Sequence, residues 1–512
     1  MKLALVFNPF KYKIHEENIL IVQKYFGLFP PLSLAWVAAI AEQAGHEVII
    51  IDSRTLRLSK KETLKRLNLF KPDIMGFMMT TYMFPDTLEW IRYLKNNLNI
   101  PVVIGGYNLR VYPRESVSFS EIDFGVLEHA YYTIPALFKE LVKENPNFDN
   151  VPGLVYKKNK KVIVTPHFQK IDFNKFPNPA RHLLSNELYA EFPTERKNFT
   201  VMVTSLGCPY NCRFCEAGNT NYNARSPEIV INEIEECYYK YNIREIDFFD
   251  YEFTCDRERV LKICNLIKER NINISWACRS RVDTVDKVLL EKMKEAGCSR
   301  IYFGLESGVQ EILDKVGKGV TVKQISNIID ICGDLKIKTL GFFLIGAPGD
   351  TKEIIKKTVK FAMGLNLEYV QFSKCLAKPL TSLWEDLISK TGVDYWKEWV
   401  LGRETDRVLP RPWTELTNDD IDKLTKWAYI KYYSRPLFIV RALLNLKSFV
   451  EFKRKLFAYI DMCFFQKNIA VKDEDFLAYN ENVGLLSKIK ISGYIRKLKL
   501  YFKKNRKSLK NK

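Results

Sequence analysis

The stretch Ser205-Leu-Gly-Cys-Pro-Tyr-Asn-Cys-Arg-Phe-Cys215 contains three cysteines in a C-x3-C-x2-C pattern, directly after an apolar run. Three thiolates at this spacing can bind three irons of a cubic [4Fe–4S] cluster and leave the fourth iron without a protein ligand. A structural zinc site usually closes with four ligands. The next cysteine along the chain is Cys237 and the nearest upstream histidine is His182. We therefore predict that Cys208, Cys212 and Cys215 bind an iron–sulfur cluster, with a zinc knuckle as the alternative.

The composition indicates a folded protein of several domains. The chain has 512 residues, of which 47% are hydrophobic and 27% charged, enough to bury sizeable cores. All eleven cysteines lie at or after Cys208, and the first residues are typical of a short buried strand rather than a secretory signal. No apolar stretch reaches the ~18 residues of a membrane span. We therefore expect reduced thiols and a cytoplasmic location.

The net charge of +19 is concentrated at the end of the chain. Residues 488–512 contain eleven Lys and Arg and no Asp or Glu. Residues 485–502 mix Leu, Ile, Tyr and Phe with these cations, which is typical of a helix on an anionic membrane surface. A solvated basic tail is the alternative. Nucleic acid is a weaker prediction for the partner, because no binding module accompanies the basic run.

Residues 1–150 alternate between short apolar strands and amphipathic helices. The pattern predicts strands at 3–7, 48–52, 74–78, 102–106 and 123–126, and helical segments at 32–44, 61–70, 87–97, 112–117 and 134–144. This alternation predicts a doubly wound parallel sheet, in which ligands bind at the carboxyl ends of the strands. Those ends carry Asn8, Thr80, Thr81, Gly105, Gly106 and Glu128.

Three further regions follow. Residues 151–195 are predicted to form a connector that contains a hairpin, and residues 196–390 contain about six βα units. Strands are expected there at 199–204, 245–249, 274–278, 300–304, 339–345 and 369–375. Six units rather than eight predict a partial (β/α)6 barrel, with chemistry at the carboxyl ends of its strands. Residues 391–512 are predicted to be a helical region, with a helix start at 417–420.

The cysteine pattern, the aromatic residue Phe214 before its last cysteine and the preceding strand together resemble the radical S-adenosylmethionine (radical SAM) enzymes. The resemblance implies that SAM occupies the open iron. It also implies SAM-binding roles for several residues at later strand ends, namely Asp250, Glu252, Arg279, Glu306, Ser307 and Gly346. One segment departs from the family pattern: Lys378-Pro379-Leu380-Thr381 stands where relatives often have Pro-x-Pro-Gly-Thr.

The first region resembles the cobalamin (B12)-binding domain that precedes many radical SAM cores. The resemblance lies in Phe29-Pro-Pro-Leu-Ser-Leu-Ala-Trp, in Gly45-His-Glu-Val-Ile-Ile-Ile-Asp52 and in Val-Ile-Gly105-Gly106. It implies that Thr80, Thr81, Gly105, Gly106 and Glu128 contact cobalamin. No Asp-x-His-x-x-Gly motif, whose His ligates cobalt in some cobalamin enzymes, is present. The alternative is a Rossmann-like domain without a ligand.

Together the two resemblances imply an enzyme that cleaves SAM reductively to a 5′-deoxyadenosyl radical and methylates an unactivated carbon with cobalamin. The alternatives are a radical rearrangement or cyclisation, a methylthiotransferase-like modification of RNA or protein, and a non-enzymatic cobalamin- or redox-sensing protein. Ferredoxin or flavodoxin is the expected electron donor. The aromatic carboxyl region and the basic tail suggest a lipid or isoprenoid substrate and peripheral contact with an anionic membrane.

Overall fold

The computed structural model describes residues 1–10, 27–127, 129–166, 171–192, 194–196, 198–403 and 409–444, with Leu456 and Tyr459. Glu128 and the basic tail, which both carry predictions, lie outside the described residues. The strands are β1 Lys2–Phe7, β2 Gly27–Leu28, β3 Glu47–Asp52, β4 Ile74–Met78, β5 Val102–Gly105, β6 Phe124–Val126, β7 Leu154–Lys158, β8 Lys161–Val164, β9 Ala190–Glu191, β10 Phe199–Met202, β11 Ser205–Leu206, β12 Asn223–Ala224, β13 Glu245–Phe248, β14 Ser275–Ser280, β15 Cys298–Glu306, β16 Lys338–Ile345 and β17 Tyr369–Lys374.

The α-helices are α1 Leu32–Gln43, α2 Lys60–Phe70, α3 Phe84–Leu98, α4 Tyr107–Val111, α5 Pro113–Val117, α6 Ala130–Leu141, α7 Pro227–Glu235, α8 Arg257–Glu269, α9 Lys287–Glu295, α10 Gln310–Lys315, α11 Val322–Asp334, α12 Lys352–Gly364, α13 Ser382–Thr391, α14 Tyr395–Val400, α15 Asn418–Tyr433 and α16 Pro436–Leu444. Glu236–Lys240 forms a π-helical turn after α7. Short 3-10 turns lie at Phe148–Asn150, Phe173–Lys175, Arg181–Leu183 and Asn186–Leu188.

The first sheet has seven strands in the order β3-β1-β4-β5-β6-β7-β8. Neighbouring strands from β3 to β6 are parallel, and the β7–β8 hairpin joins antiparallel to β6. The hairpin predicted in the connector therefore extends this sheet. The strand order reverses between β1 and β4, and doubly wound sheets bind ligands at such a point. Asn8 and Thr80 follow these two strands.

Helices cover both faces of the first sheet because its strands alternate between two apolar sets. In β1, Leu3, Leu5 and Phe7 face the cluster that contains residues of α1 and α6. Ala4 and Val6 face the opposite cluster, which contains residues of α2 and α3. The sheet is thus buried on both faces, which explains the continuous apolar runs of its strands.

The second sheet is the predicted partial barrel. Its six strands run parallel in the order β10-β13-β14-β15-β16-β17. The helices that follow the strands pack on the outer face in one large apolar cluster. A smaller cluster of Ala277, Tyr302 and Leu340 lies apart from it. Because the six strands are parallel, their carboxyl ends lie at the same end of the barrel, where the cysteine loop begins.

Helix α15 covers β17, the last strand of the barrel. It begins at a capping box in which Thr417 and Asp420 bond reciprocally, as the sequence predicts. The hydroxyl of Tyr433 on this helix accepts a hydrogen bond from the backbone N–H of Val370 at 3.0 Å. The hydroxyl of Tyr429 accepts one from the backbone N–H of Phe372 at 3.1 Å. These bonds pair edge groups that would otherwise lack a partner strand.

Helices α13 and α14 join the barrel to the first sheet. Both belong to the apolar cluster that contains α2 and α3. Trp399 of α14 donates to the carbonyl of Thr81 at 2.9 Å, and Trp396 donates to the carbonyl of Ala377 at 2.6 Å. The two sheets therefore share one core. Within the described residues, no helix has the length and apolar character that a membrane crossing requires.

Candidate active site

The cysteine loop begins at the carboxyl end of the first barrel strand and is closed by a small hairpin. Strands β11 and β12 pair antiparallel on either side of the loop. Gly207 has a φ of +74°, and a Cβ there would lie 2.1 Å from the carbonyl oxygen of Asn221. Inside the loop, the N–H of Cys215 donates to the carbonyl of Cys212 at 3.0 Å. The N–H of Thr220 donates to the carbonyl of Cys208, also at 3.0 Å. The loop is therefore a folded turn that backbone hydrogen bonds hold together.

The chemistry of this loop fits a cluster that needs three separate ligands. Burial raises the pKa of all three thiols, that of Cys215 to about 11, and the charges of neighbouring cysteines add to this effect at Cys208 and Cys215. Such thiols remain protonated until a metal displaces the protons. No three Cys, His, Asp or Glu side chains among the described residues form a group that could hold one metal ion. A closed zinc knuckle needs four ligands around one metal ion, whereas a cubane binds each thiolate to a different iron.

Phe214, predicted to contact the cofactor, is partly buried. It packs against the apolar cluster that joins the barrel to the first sheet. The N–H of its neighbour Arg213 donates to the carbonyl of Val316 at 3.0 Å. The loop is therefore anchored to the segment after α10, and the contact of Phe214 with a cofactor stays a prediction.

Asp250 and Glu252 follow β13 and have different surroundings. Asp250 is fully buried and accepts hydrogen bonds from the N–H (2.5 Å) and hydroxyl (2.5 Å) of Thr204 and from the hydroxyl of Ser205 (2.8 Å). Both carboxylate oxygens of Asp250 thus accept hydrogen bonds that join two strand ends, and its contact with SAM stays a prediction. Glu252 accepts from the N–H and hydroxyl of Thr254, and burial raises its pKa to about 7.

Glu306 ends β15 in a strained conformation. Its φ is +59°, a left-handed value that non-glycine residues rarely adopt, and the pairing of β15 with β16 shifts register there. Its carboxylate accepts a hydrogen bond from the Nζ of Lys318 at 2.9 Å, and both side chains are buried. Non-glycine strain of this kind collects at functional sites. Its place beside Lys318 and Cys212 is consistent with the predicted role.

Arg279 does not lie free to meet a carboxylate of SAM. Its guanidinium forms two hydrogen bonds with the buried Asp247, at 2.8 and 3.1 Å, and lies 3.9 Å from the ring centre of Phe249. The same buried group contains Glu191, whose pKa burial raises to about 8. Arg279 therefore neutralises buried carboxyls inside the barrel, and its contact with SAM stays a prediction.

Ser307 and Gly346 form hydrogen bonds that stabilise the turns in which they lie. The Ser307 hydroxyl lies 3.0 Å from the hydroxyl of Thr358 and accepts from the N–H of Val309 at 3.1 Å. The N–H of Gly346 donates to Asp350 and its carbonyl accepts from the indole of Trp413, each at 2.9 Å. The contacts of Ser307 with SAM and of the Gly346 backbone with adenine stay predictions.

The carboxyl edge of the first sheet reaches the barrel mouth at Tyr107, which follows β5. Its hydroxyl donates to the carbonyl of Pro379, in the segment after β17, at 3.1 Å. Burial, Glu216 and Tyr251 each raise the pKa of Tyr107, so these groups lie close together. Glu216 belongs to the cysteine loop and Tyr251 follows β13. Tyr251 is nevertheless 52% exposed, so it borders open space.

The strand ends of the first sheet carry polar atoms suited to a ligand. Asn8 is fully buried and Thr81 is 2% exposed, yet the Oδ1 of Asn8 and the Oγ1 of Thr81 have no hydrogen-bond partner among the residues that the structure describes. Buried polar groups without partners are uncommon in proteins and indicate that a ligand or water completes the site. Gly105 is partly exposed and Gly106 exposed at the same edge. The Thr80 hydroxyl accepts from the N–H of Met83 at 3.4 Å, within the turn that leads to α3. The residues present therefore fit a large ligand here, and the fifth predicted contact, Glu128, lies outside the described residues.

Sequence reasoning missed Arg281 and Lys318. Arg281 donates from its Nη1 to the Sγ of Cys212 at 3.5 Å and from its Nη2 to the carbonyl of Lys318 at 2.5 Å. The available signals were the second arginine of Arg279-Ser-Arg281 and a lysine between two glycines, Gly317 and Gly319, both with positive φ. Only the fold brings these residues to the cysteine loop.

A cysteine loop at the mouth of a parallel partial barrel defines the radical SAM class. Residues 202–362 match the radical SAM superfamily, and residues 19–138 match the B12 binding domain. The chain is 33% identical over 432 residues, 82% of its own length and 91% of the relative, to an uncharacterized methyltransferase of Pyrococcus horikoshii. It therefore belongs to the radical SAM enzymes that have an N-terminal B12-binding domain. Its cofactors are a [4Fe–4S] cluster, SAM and cobalamin.

Two further relatives extend this comparison. The anaerobic magnesium-protoporphyrin IX monomethyl ester cyclase of Rubrivivax gelatinosus is 26% identical over 379 residues, covering 72% of this chain and 68% of the cyclase. The radical SAM methyltransferase TsrM from Kitasatospora setae, solved with cobalamin and a [4Fe–4S] cluster, superposes with a TM-score of 0.59 at 20% identity. That match covers 76% of this chain and 78% of TsrM, and it shows a shared fold.

Proposed function

We propose that this enzyme transfers a methyl group to an unactivated carbon of a small organic substrate. The proposal rests on one observation: the carboxyl edge of the first sheet contacts the mouth of the barrel beside the cysteine loop. The hydrogen bond from the hydroxyl of Tyr107 to the carbonyl of Pro379 is part of this contact. A methyl donor on the first sheet and a carbon activated at the barrel would face the same space there. The relative from P. horikoshii, a methyltransferase by name, supports this choice.

The bound groups supply a hydrogen-abstracting radical from one SAM and a methyl group from a second SAM, carried by cobalamin. The chain's own residues bind and orient these groups. The three cysteines hold the cluster, and Glu252 offers a buried carboxyl on the strand end beside it. Asn8 and Thr81 offer buried oxygens on the facing edge that have no hydrogen-bond partner within the described part of the chain. Apolar packing of α13 and α14 between the sheets excludes water around this space.

The test is anaerobic purification with reconstitution, followed by measurement of iron, sulfide and corrinoid. Incubation with SAM and dithionite should then yield 5′-deoxyadenosine. A fractionated cell extract serves as the source of the unidentified substrate. Turnover in it should give methylated product and S-adenosylhomocysteine in equal amounts. Cys212→Ala should abolish cluster binding and 5′-deoxyadenosine formation, whereas Cys332→Ala, a buried cysteine on α11, should retain both. A Cys212→Ala protein that still makes 5′-deoxyadenosine would overturn the proposal.

A radical cyclisation without methyl transfer is the second candidate function. The similarity to the R. gelatinosus relative favours it, because that relative is named as a cyclase. The same assay separates the two functions. Cyclisation would consume SAM without forming S-adenosylhomocysteine, and its product would gain no methyl mass.

We further propose ferredoxin or flavodoxin as the electron donor, a reducing cytoplasmic compartment, and a lipid or isoprenoid substrate met at an anionic membrane surface. The ten described cysteines are all free thiols, which suits a reducing compartment. The basic residues 488–512 support the membrane contact. Flotation with anionic vesicles at low salt tests the membrane contact. A protein that does not bind such vesicles would contradict this part of the proposal.

A further inference from the structure

Arg281 is a charged side chain in direct hydrogen-bond contact with a cluster cysteine. It directly follows β14 and is 6% exposed. Its Nη1 donates to the Sγ of Cys212 at 3.5 Å. The thiols of Cys208 and Cys215 are stabilised differently, by the backbone N–H groups of Tyr210 and Ala217. The three cysteine ligands are therefore electrostatically unequal.

The rest of the guanidinium is fixed by three other contacts. Its Nε and Nη2 donate to the two oxygens of Asp283, each at 2.8 Å, and Nη2 also donates to the carbonyl of Lys318 at 2.5 Å. The guanidinium also lies 3.9 Å from the ring centre of Tyr210, inside the cysteine loop. These contacts leave Nη1 aimed at the sulfur. A guanidinium held on this many sides has little freedom to leave Cys212.

A second buried cation reinforces the effect. The Nζ of Lys318 donates to Glu306 at 2.9 Å, and the positive charges of Lys318 and Arg281 both interact with the Cys212 sulfur. Both cations thus favour negative charge on this sulfur. Asp283 and Glu306 partly balance them. However, Asp283 bonds Nε and Nη2 rather than the Nη1 that faces Cys212.

We propose that Arg281 is a positioning residue that raises the reduction potential of the cluster through its hydrogen bond to the Cys212 sulfur. Reduction adds one electron to the cluster, and hydrogen bonds and positive charge at the ligand sulfurs stabilise the more negative state. An external one-electron donor therefore reduces this cluster more readily than it would without Arg281. The proposal rests on the cluster, and it holds whether the enzyme methylates or cyclises its substrate.

The experiment is an EPR-monitored redox titration with dithionite of the anaerobically reconstituted full-length protein, without SAM. Arg281→Met keeps the length of the side chain and removes the donor and the charge. We expect the equilibrium constant for reduction to fall about tenfold, the worth of one charge-assisted hydrogen bond, which is about 59 mV for a one-electron couple. Arg281→Lys should restore part of the loss. An unchanged potential with full iron and sulfide content would overturn the proposal.

Two further variants keep the test informative if Arg281→Met does not assemble a cluster. Asp283→Asn leaves Arg281 in place and removes its balancing anion, so the potential should rise; a fall or no change would contradict the proposal. Arg257→Met removes the same charge from an exposed position, where Arg257 pairs with Asp286 at 2.9 Å. This control should leave the potential unchanged, because surface charge is screened by solvent. A lower reduction potential in Arg281→Met and a higher one in Asp283→Asn would not arise from general structural damage.

Discussion

Glu252 illustrates how one residue of the site is shaped by burial. Its carboxylate is 1% exposed and accepts hydrogen bonds from Thr254 and Thr284. Burial outweighs these bonds and raises its pKa to about 7. A carboxyl with a raised pKa binds its proton more tightly in the folded protein than in the unfolded chain. Its contribution to stability is therefore present at acidic pH and is lost as the pH rises through about 7.

Glu252→Gln should consequently become more stable relative to the wild type as the pH rises. Between about pH 5.5 and pH 8 we expect a relative gain of about 2 kcal/mol in the free energy of unfolding. Urea unfolding of the apoprotein at several pH values measures it. Glu258→Gln, at an exposed position, is the control for loss of one carboxylate. Parallel pH profiles for the wild type and Glu252→Gln would contradict the assignment.

Gly105 and Gly106 are adjacent in sequence and differ in what they tolerate. Gly106 has φ +111° and ψ −177°, a region open essentially to glycine, and a Cβ there would lie 2.6 Å from the carbonyl oxygen of Met79. Gly105 lacks a positive φ, and its Cβ would lie 3.9 Å from that of Val126. Gly106→Ala should thus lower the free energy of unfolding by about 1–3 kcal/mol and weaken cobalamin binding. Gly105→Ala should leave the free energy of unfolding nearly unchanged. Equal melting temperatures and equal corrinoid binding in the two variants would refute this distinction.

At the scale of elements, the edge of the barrel depends on two tyrosines of α15. Tyr429 and Tyr433 accept hydrogen bonds from the buried N–H groups of β17, and Tyr433 also donates to the carbonyl of Val370 at 2.8 Å. Phenylalanine at either position would leave a backbone N–H without a partner. Leaving such a group unpaired in the interior costs about 1–3 kcal/mol.

Tyr433→Phe is therefore expected to destabilise the protein by about 1–3 kcal/mol in urea unfolding. Hydrogen exchange of the β17 amides should accelerate in the same variant. Tyr239→Phe removes a hydroxyl from a side chain that is 67% exposed and should change neither measurement. Unaltered β17 exchange in Tyr433→Phe would show that another element protects this edge.

At the scale of the whole molecule, the two sheets should unfold together. One apolar cluster contains residues of β1, β4 and β5 as well as residues of α13 and α14. Trp396 is fully buried in it and lies 4.9 Å from Tyr82, ring centre to ring centre. Calorimetry of the apoprotein should show a single transition. Trp396→Ala, which should cost about 3–5 kcal/mol, should lower the stability of both sheets in hydrogen exchange.

The surface variant Val288→Ala removes an apolar side chain that is 57% exposed and controls for loss of apolar area. Two separate calorimetric transitions, or a loss of exchange protection confined to one sheet, would show that the sheets are independent. The shared core would then contribute little to stability.

Local patterns in the sequence determined the elements and their classes. Apolar runs with intervening amphipathic helices predicted both parallel sheets and the six-strand barrel, which the structure confirms. Within one strand end, however, the sequence did not separate Asp250, whose oxygens join Thr204 and Ser205, from Glu252. A carboxylate's role depends on which donors the fold brings to it, and these lie 46 residues away along the chain.

The sequence by itself determined the cysteine loop, because its three thiols lie within eight residues and need no distant partner. Only the tertiary structure decided what surrounds it. Arg281 reaches Cys212 from the end of β14 and Lys318 reaches it from the turn after α10, 69 and 106 positions along the chain, because the folding of the barrel brings both segments to the mouth where the cysteine loop lies. Tyr107 reaches Pro379 because the first sheet packs its carboxyl edge against that mouth. Contacts this distant in sequence arise from packing, and packing is settled only when the whole chain is folded.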